Sequence, residues 1–213
     1  GWVQSPGAAA LADPKEYPRL KAYVQGVVGA FAKDERVLAL DVWNEPGSDS
    51  LGIYPGKELK NKGAVVAALL PQVFAWAREM NPTQPLTSGV CCMDQAPDCS
   101  KLGALEQIQL AESDVVTFHN YSWPEYFKRQ VGWLKKYNRP VICTEFMARS
   151  AGSTFDTILP IAKEEKVGAI PGTVEQREPA IDQLARRLKR RLLGRELHES
   201  ADPGIEDLLE VAP

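Results

Sequence analysis

Apolar positions along the chain follow two alternating rhythms: stripes at helical spacing and short uninterrupted runs. Residues 17–32 carry Leu20, Tyr23, Val24, Val27, Val28 and Phe31 on a 3.6-residue period. Asp13-Pro14 ahead of them offers an N-cap followed by proline at the first helical position. Val37-Leu38-Ala39-Leu40-Asp41-Val42-Trp43 then predicts a strand buried on both faces, stopped by Asn44-Glu45-Pro46-Gly47. The alternation repeats. A helix is predicted over 64–80, with Pro71 marking either a kink or a late start. There follow a strand over 85–90, a short helix over 102–111, a strand over 115–119 and a helix over 125–137. A strand over 140–144, a helix over 155–163 and a last strand beginning at Val167 complete the series.

Strands alternating with helices imply parallel pairing through crossovers, which places the chain in the α/β class. Alternation alone fits an open doubly wound sheet as well as a (β/α)8 barrel. The two differ in where polar residues gather, because a barrel spreads its reactive groups over the C-terminal ends of several strands. Here Asn44 and Glu45, then His119 and Tyr121, then Glu145 follow successive strands. No glycine-rich phosphate loop follows any strand, which removes the common dinucleotide reading. A barrel is the expected architecture.

Composition narrows the partners. A chain of 213 residues supports one substantial core. A net charge of −3 gives no electrostatic reason to expect nucleic acid, and no apolar run approaches the roughly 18 residues of a membrane span. The start, GWVQSPGAAAL, has no basic region leading into an apolar stretch, and the sequence assigns no compartment. Cys91, Cys92, Cys99 and Cys143 fit no zinc spacing and neither histidine lies near them, so no metal site is expected. A bridge from Cys91 or Cys92 to Cys99 and free thiols both remain open.

Two carboxylates, each at the end of a different buried strand, carry the chemistry. Glycosidic cleavage needs one acid to protonate the leaving oxygen and one carboxylate to meet the positive charge at the anomeric carbon. A separation near 5 Å makes such a pair retaining, and one of about 6.5–9.5 Å makes it inverting. Asp41-Val42-Trp43-Asn44-Glu45-Pro46 resembles the fourth-strand signature of clan A glycoside hydrolases, closest to the cellulase-like enzymes of family 5. Thr144-Glu145-Phe146 resembles the seventh-strand segment, and His119-Asn120-Tyr121 the sixth-strand segment between them. The resemblance implies Glu45 as acid/base, Glu145 as nucleophile, a retaining mechanism and no metal or organic cofactor. Asn44, His119, Tyr121 and Trp123 are the expected substrate-binding residues. Asn44 suits a sugar 2-hydroxyl, Tyr121 a hydrogen bond that keeps Glu145 ionised, and Trp123 a stacked ring. Glu45 must start protonated, so burial and the charge of Glu145 are expected to raise its pKa. Trp43, Trp76 and Trp133 read as packing.

The resemblance covers residues 1–170, taken as a partial (β/α)8 barrel holding about strands 4 to 8. Its fourth-strand motif lies some 40 residues from Gly1, so the first strands, with the binding Arg and His they supply in the family, are expected to be lacking. Where the family continues to an aromatic pair ending in Trp, this chain turns to Ile170-Pro171-Gly172. Residues 171–213 hold no Phe, Tyr or Trp and read as a charged helical tail with Ile181, Leu184, Leu188 and Leu192 at helical spacing. A shifted frame or gene junction is the favoured origin of this tail. A helix covering the barrel edge and a basic interaction patch at residues 186–191 are the alternatives. The expected partner is an oligo- or polysaccharide with β linkages of the cellulose, mannan or xylan type. Self-association through the open barrel edge is also expected. The rival reading is a carbohydrate-binding or vestigial barrel fragment without turnover.

Overall fold

A computed structural model describes residues 5–48, 57–90 and 102–172. The expected cysteine bridge and all of the expected tail at 171–213 beyond residue 172 lie outside the described residues, while Cys143 is a buried free thiol. Among the described residues, five parallel strands lie in chain order. Strand β1 (Leu40–Asp41) pairs with β2 (Leu86–Thr87), and β3 (Val116–His119), β4 (Val141–Glu145) and β5 (Gly168–Ala169) form the second group. A parallel bridge from Val90 to Phe118 joins the two groups. Strand order never reverses, as it would at the switch point of a doubly wound sheet. The fold is a partial (β/α)8 barrel, an arc corresponding to about strands 4 to 8.

Helices cross over between successive strands: α3 (Lys62–Arg78), α4 (Ala104–Glu112), α5 (Pro124–Leu134) and α6 (Phe155–Glu165). A short α1 (Ala8–Ala12) and the longer α2 (Tyr17–Phe31) precede β1. Local chemistry explains several boundaries. The carboxylate of Asp13 accepts the backbone N–H of Lys15 at 2.9 Å and caps a 3-10 turn at Pro14–Glu16, from which α2 continues. Thr154 and Thr157 form a reciprocal capping box at the start of α6. Helix α3 starts at Lys62 and runs unbroken through Pro71, so that proline marks no late start.

Side chains on both faces of β3 are enclosed, while β4 buries Val141 and Cys143 and leaves Ile142, Thr144 and Glu145 half-buried. Val116, Phe118 and Cys143 pack with Phe127, Val131 and Leu134 of α5, Ile158 of α6 and Phe146 into one cluster. At about 25 cal/mol per Å² of apolar surface removed from water, each such side chain stabilises the fold by roughly 1.5–3 kcal/mol. A second cluster joins α2, α3 and β2 through Val28, Val66, Leu70, Phe74 and Leu86.

Strand β1 departs from expectation. Regular pairing is confined to Leu40–Asp41 rather than running from Val37 to Trp43, and the segment is not buried on both faces: Leu38 is 71% exposed. Among the described residues β1 pairs only with β2, so its other edge has no strand to cover it. Helix α2 shows the same asymmetry. Leu20, Val24 and Val28 face the core, whereas Tyr23, Val27 and Phe31 from the same stripe are exposed. No helix among the described residues is long and apolar enough to cross a membrane.

Candidate active site

Three strand ends converge. Glu145 is the last residue of β4, His119 the last of β3, and Glu45 sits in the turn after β1. That turn is held by specific bonds. The Asp41 carboxylate accepts the backbone N–H of Trp43 and of Gly89, both at 3.0 Å, tying the end of β1 to the residue beyond β2. Ser88 Oγ donates to the carbonyl of Trp43 at 2.7 Å, and the N–H of Glu45 donates to the carbonyl of Gly89 at 3.3 Å. Glu45 itself adopts φ 44°, the left-handed region that costs a non-glycine residue on the order of 1 kcal/mol. The cross-strand bonds hold it there.

His119 is buried and stands between the two carboxylates. Its Nδ1–H donates to Oε1 of Glu45, and its Nε2 lies 3.7 Å from Oε1 of Glu145. Oε2 of Glu145 accepts the Tyr121 hydroxyl at 2.5 Å, and Oε2 of Glu45 accepts Ser48 Oγ at 2.8 Å. One ligating atom from each of Glu45, His119 and Glu145 lies within 4.8 Å of the other two. The arrangement therefore brings Glu45, Glu145, His119 and Tyr121 together. Asn44 is exposed beside them, with its Oδ1 3.0 Å from the point where a Cβ on Gly89 would sit. Trp123, 53% exposed, starts α5 and packs its ring over Gly152 in the loop after β4, where φ is +67° and a Cβ would come within 3.0 Å of the ring.

Electrostatics correct one expectation. The pKa of Glu45 is lowered, not raised, because the hydrogen bond from His119 outweighs the penalty of burial, and Ser48 adds to the lowering. Asp41 moves the other way. Its residue keeps exposed surface, yet its carboxyl is crowded by neighbouring protein, and burial pushes it up to about 6 against the two backbone donors. The Tyr121 hydroxyl is raised through burial and its bond to Glu145, so it stays a donor at neutral pH.

Three residues of this site carry no role in the sequence reading. Asp41 was visible as a lone acid in an apolar strand. Gly89 lies two residues past β2, on the side of the barrel where chemistry gathers, and its missing side chain keeps Asp41, Asn44 and His119 close. Gly172 backs Tyr121: a Cβ there would lie 2.8 Å from the phenolic oxygen, and its N–H donates to the carbonyl of Phe146 at 3.0 Å. Only its place after the last strand marked it.

The fold is a partial (β/α)8 barrel that gathers two carboxylates where its strands end. No protein-family model matches the sequence, and no curated protein matches it. Solved structures do. A β-1,4-mannanase from the sea hare Aplysia kurodai is 16% identical with a TM-score of 0.56, over 90% of this chain and 64% of its own length. A β-mannanase from the blue mussel Mytilus edulis is 15% identical, TM-score 0.53, over 85% and 62%. A GH5_18 protein from Streptomyces cattleya, solved in complex with Manβ1-4GlcNAc, is 14% identical, TM-score 0.51, over 75% and 44%. At these identities the likeness is one of fold, and the chain spans less than two thirds of each of these relatives.

Proposed function

We propose that this chain carries the catalytic half of a retaining β-glycanase, with Glu145 as nucleophile and Glu45 as acid/base. The observation that carries the reading is the approach of the two carboxylates, whose oxygens come within 4.8 Å of each other from opposite strand ends. That approach is in keeping with a retaining pair, whose carboxyl groups stand about 5–5.5 Å apart. Glu145 attacks the anomeric carbon with the Oε1 that Tyr121 leaves open, forming a glycosyl ester, while Glu45 passes its proton to the departing glycosidic oxygen. In the second half Glu45 takes a proton from water as that water attacks the anomeric carbon and releases Glu145. Asn44 and Trp123 serve the sugar as hydrogen-bonding and stacking groups, and no cofactor enters the reaction. Two mannanases and a Manβ1-4GlcNAc complex among the solved relatives make β-mannosides the first substrates to try.

Hydrolysis of aryl β-mannoside, β-glucoside and β-xyloside oligomers, beside a Glu145→Ala control, tests the proposal. Turnover lost by at least about 10³-fold in the control is the expected outcome, by analogy with removal of other catalytic nucleophiles. Turnover equal in both sinks it.

One observation favours a second reading, a glycan-binding barrel without turnover. A general acid must hold a proton, and the bond from His119 keeps Glu45 ionised. Saturable binding of manno-oligosaccharides with no product formed at any pH would decide for it.

A further inference from the structure

Two bonds at the centre of the site leave two atoms facing each other. Nδ1–H of His119 is committed to Glu45, and Oε2 of Glu145 is committed to Tyr121. What remains is Nε2 of His119 opposite Oε1 of Glu145, 3.7 Å apart. His119 is only 1% exposed, and its Nε2 is buried without a hydrogen-bond partner. A buried ring nitrogen left without a partner beside a carboxylate oxygen calls for an explanation, and an ion held between the two atoms supplies one.

The separation is too long for a hydrogen bond. It is close to what a shared metal ion imposes, since two bonds of about 2.0–2.2 Å at a tetrahedral angle set ligand atoms about 3.4 Å apart. The surroundings match in two further ways. Histidines that bind metal usually give their other N–H to a carboxylate, the part Glu45 plays here. Gly89 also keeps the approach to Nε2 open. A Cβ on it would sit 3.0 Å from Nε2 and 3.0 Å from Asn44 Oδ1, so the Asn44 oxygen borders the same opening, while Asp41 Oδ2, 3.1 Å away, is held by the Gly89 N–H.

We propose that a divalent transition-metal ion of the zinc class binds between Nε2 of His119 and Oε1 of Glu145, with Asn44 bordering the site as a third donor. Imidazole with carboxylate selects this class over calcium or magnesium, which take oxygen ligands. The ion is an inhibitor, because it covers the oxygen that attacks the sugar; this last step alone rests on the glycosidase reading.

Calorimetric titration of the full chain with zinc chloride tests the site, in a background carrying Cys91→Ser, Cys92→Ser, Cys99→Ser and His198→Gln. One equivalent is expected to bind, weakened at least tenfold by His119→Asn and by Glu145→Gln, with calcium giving no competing heat. Gln at 145 still accepts the Tyr121 hydroxyl, so it keeps the local packing, and a thermal melt of each variant checks the fold. Zinc should raise the melting temperature of the background protein and not that of the Glu145→Gln variant. Equal zinc affinity with and without Glu145→Gln overturns the proposal, as does no binding up to millimolar zinc. Binding is read without substrate, so a chain that takes zinc at these residues but cleaves nothing upholds the site and removes only the glycosidase reading. Hydrolysis with no zinc bound does the reverse.

Discussion

The β3–β5 half of the arc and the β1–β2 half use the same kinds of residue to different effect. In the first, Val116 and Phe118 meet α5 and α6 on one side and neighbouring strands on both edges, and nothing of them is exposed. In the second, α2 carries six apolar residues at helical spacing and fully buries only Val28, while Tyr23 remains 68% exposed. A stripe tells what neighbour a helix is shaped to meet; it does not tell whether that neighbour is present. The stripe on α2 is wide enough for two helical partners, and among the described helices α3 is its main one.

Truncation should separate the halves most sharply. Phe118→Ala removes a fully enclosed ring and is expected to cost about 3–5 kcal/mol, while Leu38→Ala should stay within about 0.5 kcal/mol. Urea melts followed by tryptophan fluorescence measure both. Similar losses at the two positions would mean that Leu38 is covered in solution, and the contrast would collapse.

The uncovered face makes the next prediction. Tyr23, Val27 and Phe31 stand four residues apart on one side of α2, and among the described residues β1 pairs on one edge only. Such a surface favours association with a second copy. Sedimentation of the chain should show self-association that weakens at least tenfold when Tyr23, Val27 and Phe31 are all changed to Gln. A monomer at all concentrations would show that the face needs no second copy.

Legibility followed the same division. In the closed half, the predicted strand over 115–119 and the run ending at Glu145 match β3 and β4 to within a residue, because neighbouring strands on both sides complete the ladder of each run. In the open half the run from Val37 to Trp43 looks identical, yet its ladder is two residues long, since pairing needs a partner that pattern does not specify. The site was legible as residue types at strand ends. Its electrostatics were not. That Glu45 would be pulled down by His119 depends on a contact 74 positions apart in sequence, and the role of Gly89 depends on an atom it lacks.

The site bridges the two halves, with Asp41 and Glu45 from the open one and His119 and Glu145 from the closed one, so pH can probe the seam. Removing the donor in His119→Asn should raise the pKa of Glu45. If Glu45 is the general acid, the alkaline limb of kcat/KM then moves to higher pH. An unmoved limb would mean that the bond from His119 does not set the protonation of Glu45.

Asp41 offers the smallest effect and the cleanest sign. Its folded pKa of about 6 stands above its unfolded value of 3.8, so the folded state holds the proton more tightly. Its stabilising contribution is complete below the unfolded value and is lost as pH rises through about 6. Between pH 4 and pH 7 the chain should therefore lose stability on the order of 1 kcal/mol, a figure discounted because this residue keeps exposed surface. Asp41→Asn cannot ionise, so its melting temperature should change less over that interval, whatever offset the lost acceptor introduces at every pH. Parallel curves for the two proteins would place the Asp41 carboxyl in water rather than at the packed seam between β1 and β2. The tie from Asp41 to Gly89 would then be too weak to hold Glu45 against His119.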